Sequence, residues 1–155
     1  MVAIMDEALQ LSSGLNVLEV GAGSGYHSAT IAEIIGPMGH VYTVEIVEDL
    51  VRDARLNLDR AGYSDRVTLV HGDGSLGYPD RSPYDRIVVT AAAPEIPKGL
   101  IEQLKPEGIL LAPVGGRLFP QELVSIHKNS SGGLERRNLG GVAFVPLKGK
   151  HGFDD

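Results

Sequence analysis

The sequence contains no cysteine among its 155 residues. This excludes a disulfide framework, a thiolate metal site and a cysteine nucleophile, and it fits a reducing compartment. Long hydrophobic runs are also missing, since no stretch approaches 18 consecutive apolar residues. The N-terminus has no basic segment ahead of an apolar run, which a secretory leader would require. We therefore expect a cytoplasmic protein without a membrane partner.

Clustered basic charge is likewise scarce. The chain has 14 Lys and Arg residues against 20 Asp and Glu residues, which gives a formal net charge of −6, and Arg136-Arg137 is its only adjacent basic pair. Binding to nucleic acid draws on grouped lysines and arginines. The 5 histidines have no spacing typical of metal ligands. We therefore expect neither a nucleic acid partner nor a metal site.

The pattern of hydrophobic residues predicts an α/β fold, with a single domain over residues 1–155. Strands are expected over residues 16–20, 40–46, 66–71, 86–90 and 109–112, and helices over residues 1–11, 24–35, 50–61 and 98–104. Strands that alternate with helices form a mainly parallel sheet covered on both faces. Residues 122–127 and 134–139 predict an antiparallel C-terminal hairpin, with residues 142–147 as an extension of its second arm.

The helix after the first strand begins in a glycine-rich turn. Ser24 is a residue type that favours the N-cap position, and Gly36-Pro37 ends the helix. His27 then falls in the first turn of the helix, where we expect its side chain to be exposed.

Three alternate glycines form this turn, within the stretch VLEVGAGSGYHSATIAEIIG. A dinucleotide-binding loop has the pattern G-x-G-x-x-G/A. Counted from Gly21 the third place is Tyr26, and counted from Gly23 it is Ser28, so both registers fail. The remaining pattern, acidic-x-G-x-G-x-G, is typical of the Rossmann-like class I fold of methyltransferases that bind S-adenosyl-L-methionine. Gly21, Gly23 and Gly25 would let the backbone pass close to that cofactor.

Acidic residues end or follow each of the first three predicted strands. Glu19, near the end of the first, is expected beside the ammonium group of the cofactor's methionyl tail. Glu45 closes the second strand, where its carboxylate can accept hydrogen bonds from both ribose hydroxyls. Asp73 lies with Gly74 in the turn after the third strand, and we expect it to reach the adenine amino group.

Small side chains follow the fourth predicted strand, where the acceptor of this fold usually binds. Thr90, Ala91, Ala92 and Pro94 stand there. They match neither the Asn/Asp-Pro-Pro-aromatic element of amino methylation nor a carboxylate pair for metal-assisted catechol methylation. The missing cysteine excludes methylation of cytosine at C5. Small side chains leave room for a bulky acceptor such as a peptide, and tight packing of the strand against its loop is the alternative.

These motifs resemble the protein L-isoaspartyl (D-aspartyl) O-methyltransferase family over nearly the whole chain. The similar segments are the glycine-rich stretch above, HGDGSLGYP, YDRIVVTAAAPEIPKGLIEQLKPEGILLAPVGG, the QEL that begins at Gln121, and FVPLKGKHGF. The resemblance implies methyl transfer from S-adenosyl-L-methionine to the α-carboxyl group of isoaspartyl residues, as a step in protein repair. It also implies that Thr90, Ala91, Ala92, Pro94 and Gln121 contact the isoaspartyl peptide.

The sequence departs from that family's pattern at two places. Members normally carry, some tens of residues earlier, a Thr-Ile-Ser-x-Pro-His element whose serine is usually named as the active site. Residues 1–5 match the helix that directly follows this element in those relatives. No catalytic residue is therefore assigned. Ala143 stands where many relatives have an arginine near the substrate. Two alternatives therefore stay open, a cofactor-binding module without turnover and a small-molecule O-methyltransferase.

Overall fold

A seven-stranded mixed sheet forms the centre of the molecule, as seen in a computed structural model that describes residues 1–154. The strands, in chain order, are β1 Asn16–Val20, β2 His40–Glu45, β3 Val67–His71, β4 Tyr84–Val89, β5 Leu104–Gly115, β6 Gln121–Lys128 and β7 Leu134–Val142. Their spatial order is β3-β2-β1-β4-β5-β6-β7. The first five are parallel, while β6 and β7 are antiparallel to their neighbours. The predicted α/β fold with a C-terminal hairpin is confirmed.

Within residues 1–154, four α-helices connect or precede these strands. They are α1 Val2–Ala8, α2 Tyr26–Ile35, α3 Glu48–Ala61 and α4 Lys98–Glu102. In the third, Val51, Ala54 and Leu58 are buried while the residues between them are exposed, so this helix has one apolar face. Among the described residues, 1–154, no helix has the length and apolar character needed to span a bilayer.

Successive side chains of each strand point to opposite faces of the sheet, and a hydrophobic core lies on each face. On one face Val17 of β1 packs with Met5 of α1 and Ile31 of α2. On the other face Leu18 belongs to the cluster that includes Leu100 of α4. Consecutive residues of β1 therefore point to opposite sides, and this parity decides which strand-end side chains can reach a common site.

The start of α2 differs from the prediction that Ser24 caps it. Gly25 occupies the N-cap position with φ +83°, and no side chain caps the helix. A Cβ added at Gly25 would lie 3.1 Å from Cγ of Leu58 on α3. Left-handed backbone and close helix packing thus both favour glycine at this position, so the cap prediction was wrong.

The chain after β7 also departs from the expected strand extension over residues 142–147. It leaves the sheet and crosses the end of β4, where the Ala92 N–H donates to the Val145 carbonyl at 2.8 Å. The Leu147 N–H then donates back to the Ala92 carbonyl at 2.7 Å. Residues 145–153, called here the C-terminal wall, therefore lie beside the carboxyl ends of the strands and not along β6.

The strand order reverses at β1, which lies between β2 and β4. In open α/β sheets the connections on either side of such a point run to opposite faces and leave a crevice at the carboxyl ends of the strands. The fold thus predicts a ligand site beyond Val20, Glu45 and Val89.

Candidate active site

A cavity of about 390 Å³ opens at that crevice. Six of the predicted site residues line it, namely Gly21, Gly23, Glu45, Gly74, Thr90 and Ala91. They follow or end β1, β2, β3 and β4, so the sheet brings together positions that are far apart in the sequence. The volume lies within the usual range for small-molecule sites.

The glycine loop, residues 21–25, forms one side of the cavity. Gly21 has φ +98°, and a Cβ there would lie 2.4 Å from Oγ1 of Thr90. That hydroxyl donates to the Gly21 carbonyl at 2.6 Å and lies 3.0 Å from the Val20 carbonyl. A Cβ at Gly23, with φ +54°, would meet no atom within 4 Å. The first glycine therefore allows close contact within the protein, while the second leaves open space at the cavity wall.

Glu45 connects the glycine loop to the segment that follows β2. Its side chain is 6% exposed and lines the cavity. One carboxylate oxygen accepts the Gly23 N–H at 3.0 Å, and the other accepts the Val47 N–H at 3.0 Å. Each oxygen keeps a further lone pair, so the carboxylate can still accept hydrogen bonds from a ligand hydroxyl pair.

Glu19 does not line the cavity, which corrects its predicted position beside the methionyl tail. It shares a face of β1 with Val17 and points beneath α2, fully buried. One oxygen accepts hydrogen bonds from Ser28 and, at 2.6 Å, from Thr43, while Oε1 has no hydrogen-bond partner. Burial raises the pKa of Glu19 above its ordinary value of 4.5, against the lowering effects of nearby His27 and these hydroxyls.

His27 is buried, so the prediction that it is exposed was wrong. Its Nε2 lies 2.7 Å from Oδ1 of Asp6, and its Nδ1 lies 3.6 Å from Oε1 of Glu19. The imidazole sits between two carboxylates because α1 packs against the first turn of α2 at this point. The three side chains thus tie α1, β1 and α2 together below the glycine loop.

The raised pKa of Glu19 predicts a pH dependence of stability. A carboxyl group with a raised pKa in the folded state stabilises that state most below 4.5, and the contribution is lost as pH rises through the raised value. The free energy of unfolding of the wild type, relative to Glu19→Gln, should therefore fall as the pH rises above about 4.5 and through the raised pKa of Glu19. One proton limits the slope to roughly 1.4 kcal/mol per pH unit. Urea unfolding at several pH values measures this difference.

Glu122→Gln provides the matched control, since Glu122 is an exposed carboxylate on β6. Its free energy of unfolding should follow the wild type across the same pH range. A constant difference between wild type and Glu19→Gln would mean that Glu19 titrates alike in the folded and unfolded chains.

Asp73 anchors the C-terminal wall, and its predicted contact with adenine stays a prediction. Its Oδ1 accepts from the Ser75 N–H at 2.9 Å and from the Ser75 hydroxyl at 2.7 Å, and its Oδ2 accepts from the Lys150 N–H at 2.8 Å. Partial burial acts to raise the pKa of Asp73, but the bonds from Lys150 and Ser75 outweigh it and hold that pKa below its ordinary value of 3.8. Gly74 beside it does line the cavity.

The remaining predicted site residues also lie outside the cavity lining. Gly25 packs on Leu58, and Ala92 holds the C-terminal wall through its backbone. Pro94 is exposed beyond that contact. Gln121 is 2% exposed, and its amide groups bond to the backbone of residues 116, 118 and 144. The contacts of Gly25, Ala92 and Gln121 thus lie within the protein, and the predicted contacts of Ala92, Pro94 and Gln121 with the acceptor stay predictions.

Sequence reasoning missed the apolar and basic parts of the lining. Ile46 and Val47 follow Glu45 directly and Leu50 lies three residues further on, and their apolar character after a strand-end carboxylate was a usable signal. Arg117 and the C-terminal wall, which includes Phe153, come from distant parts of the chain. No periodicity marks those segments. Among residues 1–154, no group of three or more potential ligands could hold a metal ion.

Comparisons with known proteins agree with this geometry. Residues 1–152 match the family model described as Protein-L-isoaspartate(D-aspartate) O-methyltransferase (PCMT). A crystal structure from Plasmodium falciparum, assigned as a protein-L-isoaspartate O-methyltransferase and in complex with S-adenosyl-L-homocysteine, superposes with a TM-score of 0.84 at 27% identity. That match covers 96% of this chain and 73% of the Plasmodium chain.

Sequence relatives named protein-L-isoaspartate O-methyltransferase are more similar still. The protein from Hyperthermus butylicus is 52% identical and that from Methanosarcina mazei 54% identical, each over 99% of this chain. The chain spans 66% and 62% of the lengths of these two relatives. The chain therefore belongs to the protein-L-isoaspartate(D-aspartate) O-methyltransferase family.

Proposed function

We propose that the cavity binds S-adenosyl-L-methionine and that the chain methylates the α-carboxyl group of isoaspartyl residues in proteins. The observation that carries the proposal is the joint lining of one cavity by Gly23, Glu45 and the small residues Thr90 and Ala91. Open space at Gly23 fits close passage of a ligand, and Glu45 has acceptor capacity for a hydroxyl pair. The complex of the Plasmodium relative with S-adenosyl-L-homocysteine supports this assignment.

The residues of the cavity suit this cofactor in different ways. Glu45 would accept hydrogen bonds from the two ribose hydroxyls, each worth roughly 1.5–3 kcal/mol for an ionised acceptor. The apolar side chains of Ile46, Val47 and Leu50 would cover the base and keep water from it. We propose that Glu19 acts indirectly, by bonding Ser28 and Thr43 below the glycine loop. Asp73 would act through the C-terminal wall that it anchors.

The chemistry requires little from the protein beyond positioning. When bound, the cofactor supplies a sulfonium methyl group, which passes to a carboxylate oxygen while the electron pair of the broken carbon–sulfur bond stays on sulfur. The acceptor is already ionised at neutral pH, so no strong base is needed. Thr90 and Ala91 would leave space for the acceptor beside the methyl group, and exclusion of water there would favour the reaction of opposite charges.

We infer the acceptor class from the family to which the chain belongs and from the small residues Thr90 and Ala91 that line the cavity. A carboxylate on a peptide is the partner proposed, in a cytoplasmic setting and without nucleic acid or membrane binding. The net charge of −6 supports this choice over a phosphate backbone.

Two measurements on the 155-residue chain, made one after the other, test the proposal. Calorimetry should detect binding of S-adenosyl-L-methionine and of S-adenosyl-L-homocysteine, with no heat from NAD. Radiolabelled methyl transfer should then appear on an isoaspartyl peptide and not on the same peptide with a normal aspartyl linkage. Binding of NAD alone would overturn the cofactor assignment. Cofactor binding without transfer to the isoaspartyl peptide would leave a binding module and overturn the proposed activity.

A further inference from the structure

Three charged residues of the described chain, 1–154, line the cavity. Glu45 is the acidic one, and Arg117 and Lys148 are the basic ones. Glu45 ends β2 while Arg117 follows β5, and β1 and β4 lie between these strands. Three strand spacings of about 4.8 Å put the backbones of β2 and β5 roughly 14 Å apart. The cavity therefore has Glu45 at one end, suited to hydroxyl groups, and Arg117 at the other, called here the basic end, which is suited to an anion.

Arg117 lies in a turn that several hydrogen bonds hold in place. This turn, residues 116–120, is closed by a hydrogen bond from the Gly116 N–H to the Pro120 carbonyl at 2.9 Å. The buried Gln121 side chain donates to the Gly116 carbonyl at 3.2 Å and to the Phe144 carbonyl at 3.1 Å. Its Oε1 accepts the Phe144 N–H at 2.7 Å. Gln121 thus joins the turn to the chain that leads into the C-terminal wall.

The guanidinium of Arg117 keeps donors available beyond its contact within the protein. Its Nη1 donates to the main-chain carbonyl of Asp154 at 2.7 Å, which uses one of five N–H groups. Within residues 1–154, the Arg and Lys side chains that form ion pairs are Arg52, Arg66 and Lys105. No carboxylate of the described chain therefore neutralises Arg117, although the residue lines the cavity.

We propose that Arg117 binds the free α-carboxylate of the isoaspartyl acceptor and holds it at the basic end of the cavity. The inference rests on the proposed function and adds a residue for its acceptor. A guanidinium can bind a carboxylate through one oxygen and leave the other oxygen for attack on the methyl carbon. Ala91, whose side chain is small and also lines the cavity, leaves space there for a peptide backbone. Gln121 then acts as a positioning residue, because it holds the turn that presents Arg117.

Peptide binding to the complex with S-adenosyl-L-homocysteine tests this proposal without relying on turnover. The probes are a C-terminally amidated isoaspartyl peptide and the same peptide with a carboxamide in place of its free α-carboxyl group. By calorimetry, Arg117→Gln should weaken the carboxylate peptide about fivefold, a modest factor because Arg117 is exposed. The carboxamide peptide should bind the wild type and Arg117→Gln equally.

Two matched variants separate this role from a general loss of positive charge. Arg136→Gln removes an exposed arginine of β7, and Lys148→Gln removes the other cation of the cavity lining. Arg136→Gln should bind the carboxylate peptide within twofold of wild type and keep wild-type affinity for S-adenosyl-L-homocysteine. Lys148→Gln should lose less affinity for the carboxylate peptide than Arg117→Gln.

The outcomes distinguish the proposal from the function on which it rests. Equal binding of the carboxylate peptide by wild type and Arg117→Gln, or a larger loss in Lys148→Gln, would overturn the role of Arg117 and leave the proposed function intact. If the wild type binds S-adenosyl-L-homocysteine but neither peptide, the isoaspartyl acceptor itself is wrong, and the role of Arg117 is overturned with it.

Discussion

Replacement of Gly23 by valine is expected to weaken binding of S-adenosyl-L-homocysteine at least about 100-fold, or roughly 2.7 kcal/mol. Gly23 lines the cavity, and no protein atom lies within 4 Å of a Cβ built there. The branched side chain would therefore enter space that the proposed cofactor uses, without a clash inside the protein. The N–H of residue 23 would remain able to donate to Glu45. Calorimetric titration of the folded variant measures the loss.

The variant also carries a backbone cost that must be separated from the binding effect. Gly23 has φ +54°, where a residue with a Cβ loses roughly 1–2 kcal/mol of stability. Gly62, which ends α3 with φ +80° and equally open surroundings, provides the control. Gly62→Val should lose similar stability in urea unfolding but retain wild-type affinity. Wild-type affinity in Gly23→Val would instead show that the ligand does not pass this wall.

The order of elements was predictable because strand and helix periods differ clearly in this sequence. β1 has the bounds expected, and the helices and other strands lie within a few residues of their expected places, apart from the longer β5. The carboxyl ends of parallel strands share one edge of the sheet, so Gly21, Glu45 and Thr90 could be assigned to a common site before any coordinates. The periodicity of the apolar residues located the strands, and the glycine, acidic and small residues at their ends indicated the site.

Side-chain direction at the strand ends was harder to predict, as Glu19 shows. Alternation puts Glu19 on the same face as Val17, and that face is covered by α2. Family patterns of acidic residues near the glycine loop do not reveal whether the carboxylate faces the ligand or the helix below it. The answer depends on Ser28 and Thr43, whose hydroxyls supply hydrogen bonds to a buried carboxylate.

The C-terminal wall could not be predicted for a different reason. Backbone hydrogen bonds to Ala92 hold it, and Asp73 accepts the Lys150 N–H from it. Backbone contacts of this kind impose little pattern on the side chains, so the sequence after β7 resembled a continued strand. Lys148 and Phe153 consequently reach the cavity although no hydrophobic periodicity places them there.

Glu45→Ala should weaken S-adenosyl-L-homocysteine binding by at least about 1.5 kcal/mol, roughly tenfold or more. Two effects act in the same direction. The alanine removes the proposed charged acceptor for the ribose hydroxyls, and it leaves the N–H groups of Gly23 and Val47 without the carboxylate that now joins them. Calorimetry gives the affinity, and urea unfolding reports the stability of the same variant.

Comparison with two further variants separates these effects. Glu45→Gln keeps the shape and one carbonyl oxygen, so it should lose less affinity than alanine while removing the charge. Glu48→Ala removes an exposed carboxylate in the first turn of α3 and should bind like the wild type. Unchanged affinity in Glu45→Ala would mean that the ribose lies elsewhere in the cavity. If glutamine and alanine lose affinity equally, the negative charge of Glu45, and not its tether to the glycine loop, determines cofactor binding.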